Sequence, residues 1–185
     1  MTIDVGAGDG RAVLATAAAE PASLVIGVDA NAAPMVESSR RAARGQVSNA
    51  LFVVASAEAM PAELVGLADR VTVGFPWGSL LRGCLGLDDA VASGLASLVT
   101  RNGELELLLA PNARDGLGSV PTEVADVIRA ARSTFARSGC ELVEGRQATT
   151  AELSASRSTW AKRLLSGGSA ADRPVTFVRL RSSAR

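Results

Sequence analysis

The 185-residue sequence contains no histidine and no tyrosine. Without histidine the usual general base near neutral pH is missing, which excludes Ser-His and Cys-His nucleophilic catalysis. Cysteine is scarce, since Cys84 and Cys140 are the two in the chain, and they lie outside any CxxC or Cys/His pattern. The sequence therefore predicts two buried free thiols, with neither a disulfide framework nor a metal site.

Long apolar runs are also missing. No stretch of 18 or more apolar residues occurs, and no basic segment precedes an apolar one near the start, so neither a membrane span nor a secretory signal is indicated. We expect a cytoplasmic protein without a membrane partner. At this length and 48% hydrophobic residues, the sequence predicts one domain over residues 1–185, and we expect a monomer.

Charge is balanced overall but unevenly distributed. Residues 1–150 carry 12 basic and 17 acidic side chains, whereas residues 151–185 carry 7 basic and 2 acidic ones. The basic end of the chain is a candidate surface for an anionic partner. A solvated C-terminal face is an equally good interpretation of the charge pattern by itself.

Apolar, β-branched runs alternate with alanine-rich helical stretches along the chain. This alternation predicts an α/β fold in which a doubly wound, seven-stranded, mostly parallel sheet ends in an antiparallel last strand. A basic insert, residues 146–173, separates the last two strands. The predicted strands are Thr2–Val5, Ser23–Asp29, Ala50–Ser56, Arg70–Phe75, Gly103–Ala110, Cys140–Gly145 and Pro174–Arg181, and the predicted helices are Arg11–Ala19, Met35–Arg44, Pro61–Gly66, Leu80–Cys84, Asp88–Val99 and Thr122–Arg137.

A glycine-rich turn, DVGAGDG, stands where the first strand passes into the first helix. Glycines at such a turn allow positive φ and let a ligand approach the backbone. The spacing departs from the GxGxxG of dinucleotide-binding folds. Asp4, ahead of the glycines, and Asp9, among them, would repel a pyrophosphate. The turn therefore favours a cationic ligand that lacks phosphate.

Two more acidic residues follow the next two strands. Asp29 ends the second strand, where a carboxylate can accept both hydroxyls of a ribose, and Glu58 follows the third. Because the carboxyl ends of parallel strands meet at one crevice, we expect these residues to share a site with Asp4. The alternative is that all three are ordinary turn acids.

An acidic residue followed by GxGxG resembles the first motif of class I S-adenosylmethionine-dependent methyltransferases. The strand order and the two later acids extend the resemblance. An NAD-dependent oxidoreductase is the second interpretation of the glycine turn.

Aromatic residues make up 3% of the chain, which makes its two tryptophans informative. Trp77 lies in FPWGSLLRG after the fourth strand, and Trp160 lies in SRSTWAKRL within the basic insert. Each ring alone could pack in the core. Together they suggest two aromatic faces that hold a planar base taken out of nucleic acid, since stacking contributes roughly 1–3 kcal/mol per base.

FPWGSLLRG followed by STWAKRL resembles the aminoglycoside-resistance 16S rRNA methyltransferases that modify N1 of adenine 1408 in the decoding site of the 30S subunit. The similarity runs from DVGAGDG through SAEAMP to the final strand. It implies that S-adenosylmethionine is held by Asp4, Gly6, Gly8, Asp29, Ala57, Glu58, Gly74, Pro76 and Ser79. It also implies that Trp77 and Trp160 hold the flipped adenine, and that 16S rRNA phosphates are bound by Arg40, Arg41, Arg44, Arg157, Lys162 and Arg163.

The implied chemistry fits a chain without histidine. Adenine N1 carries a lone pair at neutral pH, so no base has to remove a proton before methyl transfer, and positioning is the main demand. The ring gains positive charge as the methyl group arrives. Aromatic faces on either side stabilise that charge by cation–π attraction of roughly 0.5–2 kcal/mol.

The chain departs from the family at its start, because members carry an N-terminal hairpin before the first strand that is not in this sequence. Two alternatives to an rRNA methyltransferase stay open. One is a shortened homologue that binds the cofactor without acting on rRNA, and the other is a methyltransferase of small molecules.

Overall fold

A computed structural model describes residues 1–45, 47–112, 120–156, 158–165 and 174–183, and for Trp160, Arg163 and Leu164 it describes the backbone alone. Its strands are β1 (Thr2–Val5), β2 (Val25–Asp29), β3 (Ala50–Val54), β4 (Ala68–Gly74), β5 (Val99–Leu109), β6 (Cys140–Gln147) and β7 (Thr176–Ser182). Its helices are α1 (Arg11–Ala19), α2 (Ala32–Ala43), α3 (Gly78–Cys84), α4 (Asp89–Leu98), α5 (Val124–Ala136), α6 (Thr150–Ala155) and α7 (Thr159–Leu165), with single 3₁₀ turns at Ala57–Ala59 and Ala62–Leu64.

The seven strands form one sheet in the order β3-β2-β1-β4-β5-β7-β6. Strands β1 to β5 pair in parallel. β7 lies between β5 and β6 and is antiparallel to both. The prediction of a doubly wound sheet with an antiparallel last strand is confirmed. Because the strand order reverses between β1 and β4, a crevice is expected at their carboxyl ends.

Most predicted elements are present, and the differences in their boundaries have local causes. α2 begins at Ala32 rather than Met35 because the Asn31 side chain accepts a hydrogen bond from the Ala33 N–H at 3.1 Å and caps the helix. β5 begins at Val99 rather than Gly103, since Asn102 adopts a φ of 63° and the chain stays paired with β4 across an irregularity. The predicted helix Pro61–Gly66 is a single 3₁₀ turn.

The two faces of the sheet differ in polarity. One face, with residues such as Val71 and Leu105, packs against α3, α4 and α5 and forms the larger core, which also buries Cys84 and Cys140 as predicted. On the other face α1 and α2 cover β2 and β3 through a smaller apolar cluster. Within the described ranges, no helix has the length and apolarity needed to cross a membrane.

A row of polar side chains crosses the second face from β1 to β7. The register places Thr72 beside Asp4, Glu106 beside Thr72, and Arg179 beside Glu106 on β1, β4, β5 and β7. The strands alternate these polar residues with core residues, as expected for a sheet with one apolar face. Asp4, Thr72 and Glu106 of this row form the floor of the site described next.

Candidate functional site

A cavity of about 870 Å³ opens at the carboxyl ends of the parallel strands. Its walls come from the glycine-rich turn, the ends of β2, β3 and β4, and the segments of α6 and α7 that face the sheet. The structure brings together all of the residues that the resemblance assigns to the cofactor, because each of them lines this cavity: Asp4, Gly6, Gly8, Asp29, Ala57, Glu58, Gly74, Pro76 and Ser79.

The glycine-rich turn depends on glycine for two different reasons. Gly6, Gly8 and Gly10 have φ values of 78°, 56° and 70°, a region that other residues adopt with strain. A Cβ on Gly6 would also lie 2.8 Å from Leu80 Cδ2, and one on Gly10 would lie 2.5 Å from Phe52 Cε1. Gly10 is therefore required by packing against β3.

The Asp29 carboxylate is fixed between the glycine-rich turn and α2. Its Oδ2 accepts a hydrogen bond from the Gly8 N–H at 2.8 Å, and its Oδ1 accepts one from the Asn31 N–H at 2.9 Å. Each carboxylate oxygen can accept a further hydrogen bond. Asp29 is therefore oriented to accept hydroxyl groups of a ligand in the cavity.

Asp4 lies deeper, on β1, and its Oδ1 accepts a hydrogen bond from Thr72 Oγ1 at 2.7 Å. Burial raises the pKa of Asp4 to about 6; the Thr72 hydroxyl acts in the opposite direction, and the nearby Asp29 charge adds to the rise. A cation in the cavity would favour the ionised form. Asp4 is thus suited to a positively charged ligand group.

The raised pKa makes the folded protein bind a proton that the unfolded chain has already released. We expect the free energy of unfolding of the free protein to fall by about 2 kcal/mol through this group as pH rises from 4 to 7. Denaturant titrations across that range should show a flatter profile for Asp4→Asn than for the wild type. Identical pH profiles for the two proteins would contradict a raised pKa at Asp4.

Ala57 and Glu58 reach the cavity on the first 3₁₀ turn, which packs against α4. A Cβ on Gly94 of α4 would lie 1.8 Å from the Ala57 carbonyl oxygen, so the two backbones touch at this glycine. Sequence analysis missed Gly94. The available signal was a glycine inside a helix, which is unfavourable unless close packing requires it.

The segment after β4 presents Trp77 to solvent. Phe75 is buried and adopts a φ of 52°, and its N–H donates to the Leu108 carbonyl at 2.9 Å. This unusual conformation turns the chain out of the sheet at Pro76. The Trp77 side chain lines the cavity and is 85% exposed. Core packing, the alternative for Trp77, is therefore excluded.

Trp160 lies near the start of α7. Ala161, next to it, is buried with Phe75 in a small apolar cluster, so α7 packs beside the segment that carries Trp77. Thr159 lines the cavity and its Oγ1 lies 3.4 Å from Asp9 Oδ2. The Trp160 side chain lies outside the described atoms, so a face-to-face arrangement of the two rings stays a prediction.

The predicted RNA-binding residues occupy two places. Arg40, Arg41 and Arg44 are exposed at the C-terminal end of α2. Asn31 caps α2 and lines the cavity. From Asn31 to Arg40 the helix advances about 13 Å along its axis, given the rise of an α-helix. Lys162 is exposed on α7. Arg157 lies outside the described residues, and Arg163 is described by its backbone alone.

Sequence analysis also missed Thr72 and Glu106 on the floor of the cavity. Burial raises the pKa of the Glu106 carboxyl above its ordinary value. Both residues alternate with core residues in RVTVG and ELELLL. That alternation marks a polar sheet face but not which polar residues on it line a cavity.

Comparisons with known proteins agree with this geometry. The NpmA family model, described as 16S rRNA (adenine(1408)-N(1))-methyltransferase, matches residues 1–178. A protein of the same description from Streptoalloteichus hindustanus is 33% identical over 175 residues, which cover 89% of this chain and 80% of the relative. One from Escherichia coli is 32% identical over 110 residues, covering 57% of this chain and 50% of the relative.

Comparisons with solved structures agree with the family match. A variant of the 16S rRNA (adenine(1408)-N(1))-methyltransferase from Catenulisporales acidiphilia, solved with cosubstrate SAM, has a TM-score of 0.83 at 30% identity, covering 99% of this chain and 85% of the other. The aminoglycoside resistance methyltransferase NpmB1 has a TM-score of 0.75 at 38% identity, covering 98% of this chain and 86% of the other.

Proposed function

This chain belongs to the 16S rRNA (adenine(1408)-N(1))-methyltransferase family, and from that premise we propose that it transfers a methyl group from S-adenosylmethionine to N1 of adenine 1408 in 16S rRNA. The product would give resistance to aminoglycosides. One observation carries the proposal beyond family membership. The cavity that contains all the predicted cofactor residues has an exposed tryptophan, Trp77, in its wall.

The residues in the cavity fit S-adenosylmethionine. Asp29 is oriented to accept the ribose hydroxyls, and Asp4 lies where it would attract the cationic end of the molecule. A pyrophosphate in the same place would be repelled by both carboxylates. When bound, S-adenosylmethionine supplies a methyl group on a positively charged sulfur. Ala57, Glu58, Gly74, Pro76 and Ser79 would complete the walls.

Trp77 and Trp160 would hold the flipped adenine between their rings. The exposure of Trp77 supports this role, because its face is free to stack against a base. Adenine N1 needs no base to remove a proton, in keeping with the absence of histidine. As the purine becomes cationic, the two rings would stabilise it more than the neutral base, which is the condition for a catalytic effect.

Basic side chains would bind the rRNA around the target. On α7, Lys162 and Arg163 come one turn after Thr159, which lines the cavity, and Arg157 stands in the sequence between Ser156 and Ser158, which also line it. Arg40, Arg41 and Arg44 lie further away and would contact phosphates at a distance from the target base. We propose that the assembled 30S subunit is the substrate and that the protein acts as a monomer.

The direct test uses 30S subunits, the purified protein and tritiated S-adenosylmethionine. Reverse transcription of the extracted 16S rRNA should stop at adenine 1408, because N1 methylation blocks Watson–Crick pairing. Asp29→Ala, which we expect to lose cofactor binding, serves as the matched control. Label elsewhere in the rRNA, or label without a stop at that position, would contradict the proposed function, and so would cofactor binding without any transfer to the 30S subunit.

A further inference from the structure

Helix α6 forms part of the cavity wall although the structure, which describes all of its residues, shows none of them buried. Glu152 and Ala155 line the cavity from this helix, and Ser156 follows. Leu153 is partly buried against the small cluster that contains Phe75. Because α6 buries so little apolar surface, hydrophobic contact contributes only weakly to its docking on the sheet. Another interaction must hold the helix there.

Arg146, near the end of β6, supplies that interaction. Its Nη1 and Nη2 donate to Glu152 Oε2 and Oε1, both at 2.7 Å, and its Nε donates to Glu144 Oε1 at 2.8 Å. The guanidinium also lies 5.0 Å from the centre of the Phe177 ring. This two-pronged carboxylate pairing is the geometry that arginine favours and lysine cannot copy.

Both carboxylates are themselves anchored. Glu144 Oε2 accepts from Arg179 Nη2 at 2.7 Å, which ties it to β7. Glu152 Oε2 accepts from the Thr149 N–H at 2.8 Å and closes a capping box at the start of α6. The Arg146 hydrogen bonds also hold the pKa of Glu152 at about 2. Arg146 thus joins the sheet to the first turn of α6.

We propose that Arg146 is a positioning residue, which holds α6 and the following α7 at the cavity so that Trp160 and Lys162 meet the acceptor nucleotide. This inference rests on the proposed function. Although Arg146 begins the basic insert, its guanidinium is committed to carboxylates and to Phe177. Its role is therefore to position the side chains that contact the acceptor. Other basic residues would bind the rRNA phosphates.

Kinetic measurements on Arg146→Gln test the role in the reaction. At saturating S-adenosylmethionine we expect single-turnover methylation of 30S subunits to slow by about tenfold or more, while the dissociation constant for S-adenosylmethionine changes by less than about threefold. Glu152→Gln should have the same effect, and the double variant should be no slower than either single one. Arg146→Lys should recover part of the rate.

The matched control is Arg129→Gln, which removes an exposed arginine paired with Asp126 on α5, away from the cavity. It should methylate at the wild-type rate. Wild-type rates in both Arg146→Gln and Glu152→Gln would overturn the inference. Loss of cofactor binding in step with the rate would overturn it too, because Arg146 would then support the fold in general.

A second readout does not need the methylation reaction. In a Trp77→Phe background Trp160 is the single tryptophan. Adding Arg146→Gln should raise acrylamide quenching of its fluorescence by about twofold, because α7 is then less firmly held. Unchanged quenching would overturn the inference. If wild-type protein fails to methylate 30S subunits but the quenching changes, the proposed function fails while the docking role of Arg146 stands.

Discussion

Trp77→Ala should reduce the methylation rate of 30S subunits by roughly 100-fold, because one of the two stacking faces for adenine is lost. The side chain is 85% exposed, so its removal should leave the fold intact. We expect the dissociation constant for S-adenosylmethionine to change by less than about threefold, since Trp77 is not among the residues assigned to the cofactor. Calorimetry and single-turnover labelling measure the two quantities separately.

Trp77→Phe is the matched control, because it keeps an aromatic face and should retain most of the rate. Trp160→Ala should behave like Trp77→Ala if the two rings act on the same base. Wild-type rates in both alanine variants would refute the base-holding role. Equal losses of rate and cofactor affinity would instead indicate that Trp77 shapes the cofactor pocket.

Gly94→Ala should lower the free energy of unfolding by about 3 kcal/mol, although the same change inside a helix usually stabilises it by about 1 kcal/mol. The added Cβ would lie 1.8 Å from the Ala57 carbonyl oxygen, so two backbones would have to separate. Because Ala57 and Glu58 line the cavity, S-adenosylmethionine should also bind less tightly. Denaturant titration and calorimetry give both values.

Ser93→Ala is the control on the same helix, because Ser93 is exposed and precedes Gly94 directly. It should leave stability and cofactor affinity close to wild type. A stabilised Gly94→Ala protein would show that α4 and the 3₁₀ turn can move apart freely, and the close contact would then have no role in shaping the cavity.

Local patterns in the sequence were sufficient to predict most of the fold. The strands have continuous apolar runs, such as LVIGVD, and their alternation with helices predicts a doubly wound, mostly parallel sheet. The predicted start of β5, at Gly103, was wrong because the preceding residues, TRNG, are typical of a turn. In the structure Asn102 adopts a positive φ within the strand. Pairing with β4 favours this conformation, and the local sequence does not predict it.

The cofactor residues were predictable for a related reason, since they follow strand ends that parallel pairing brings together. Gly94 and Arg146 were not, because their roles depend on contacts with Ala57 and Glu152 that no spacing rule specifies. Asp29 offered a signal through its position, whereas Gly94 looked like an unfavourable helix residue. The contacts formed by tertiary packing decide such cases.

The position of β7 affects how the protein is made. β6 is joined to the sheet through β7, which comes later in the chain. During synthesis β6 therefore has no paired neighbour in the sheet until residues 176–182 have left the ribosomal exit tunnel. At a translation rate of about 5–20 residues per second, the segment from β6 to β7 takes a few seconds to emerge. Over that time a parallel sheet formed by β1 to β5 would have its β5 edge open, which would make the nascent chain a candidate substrate for chaperones.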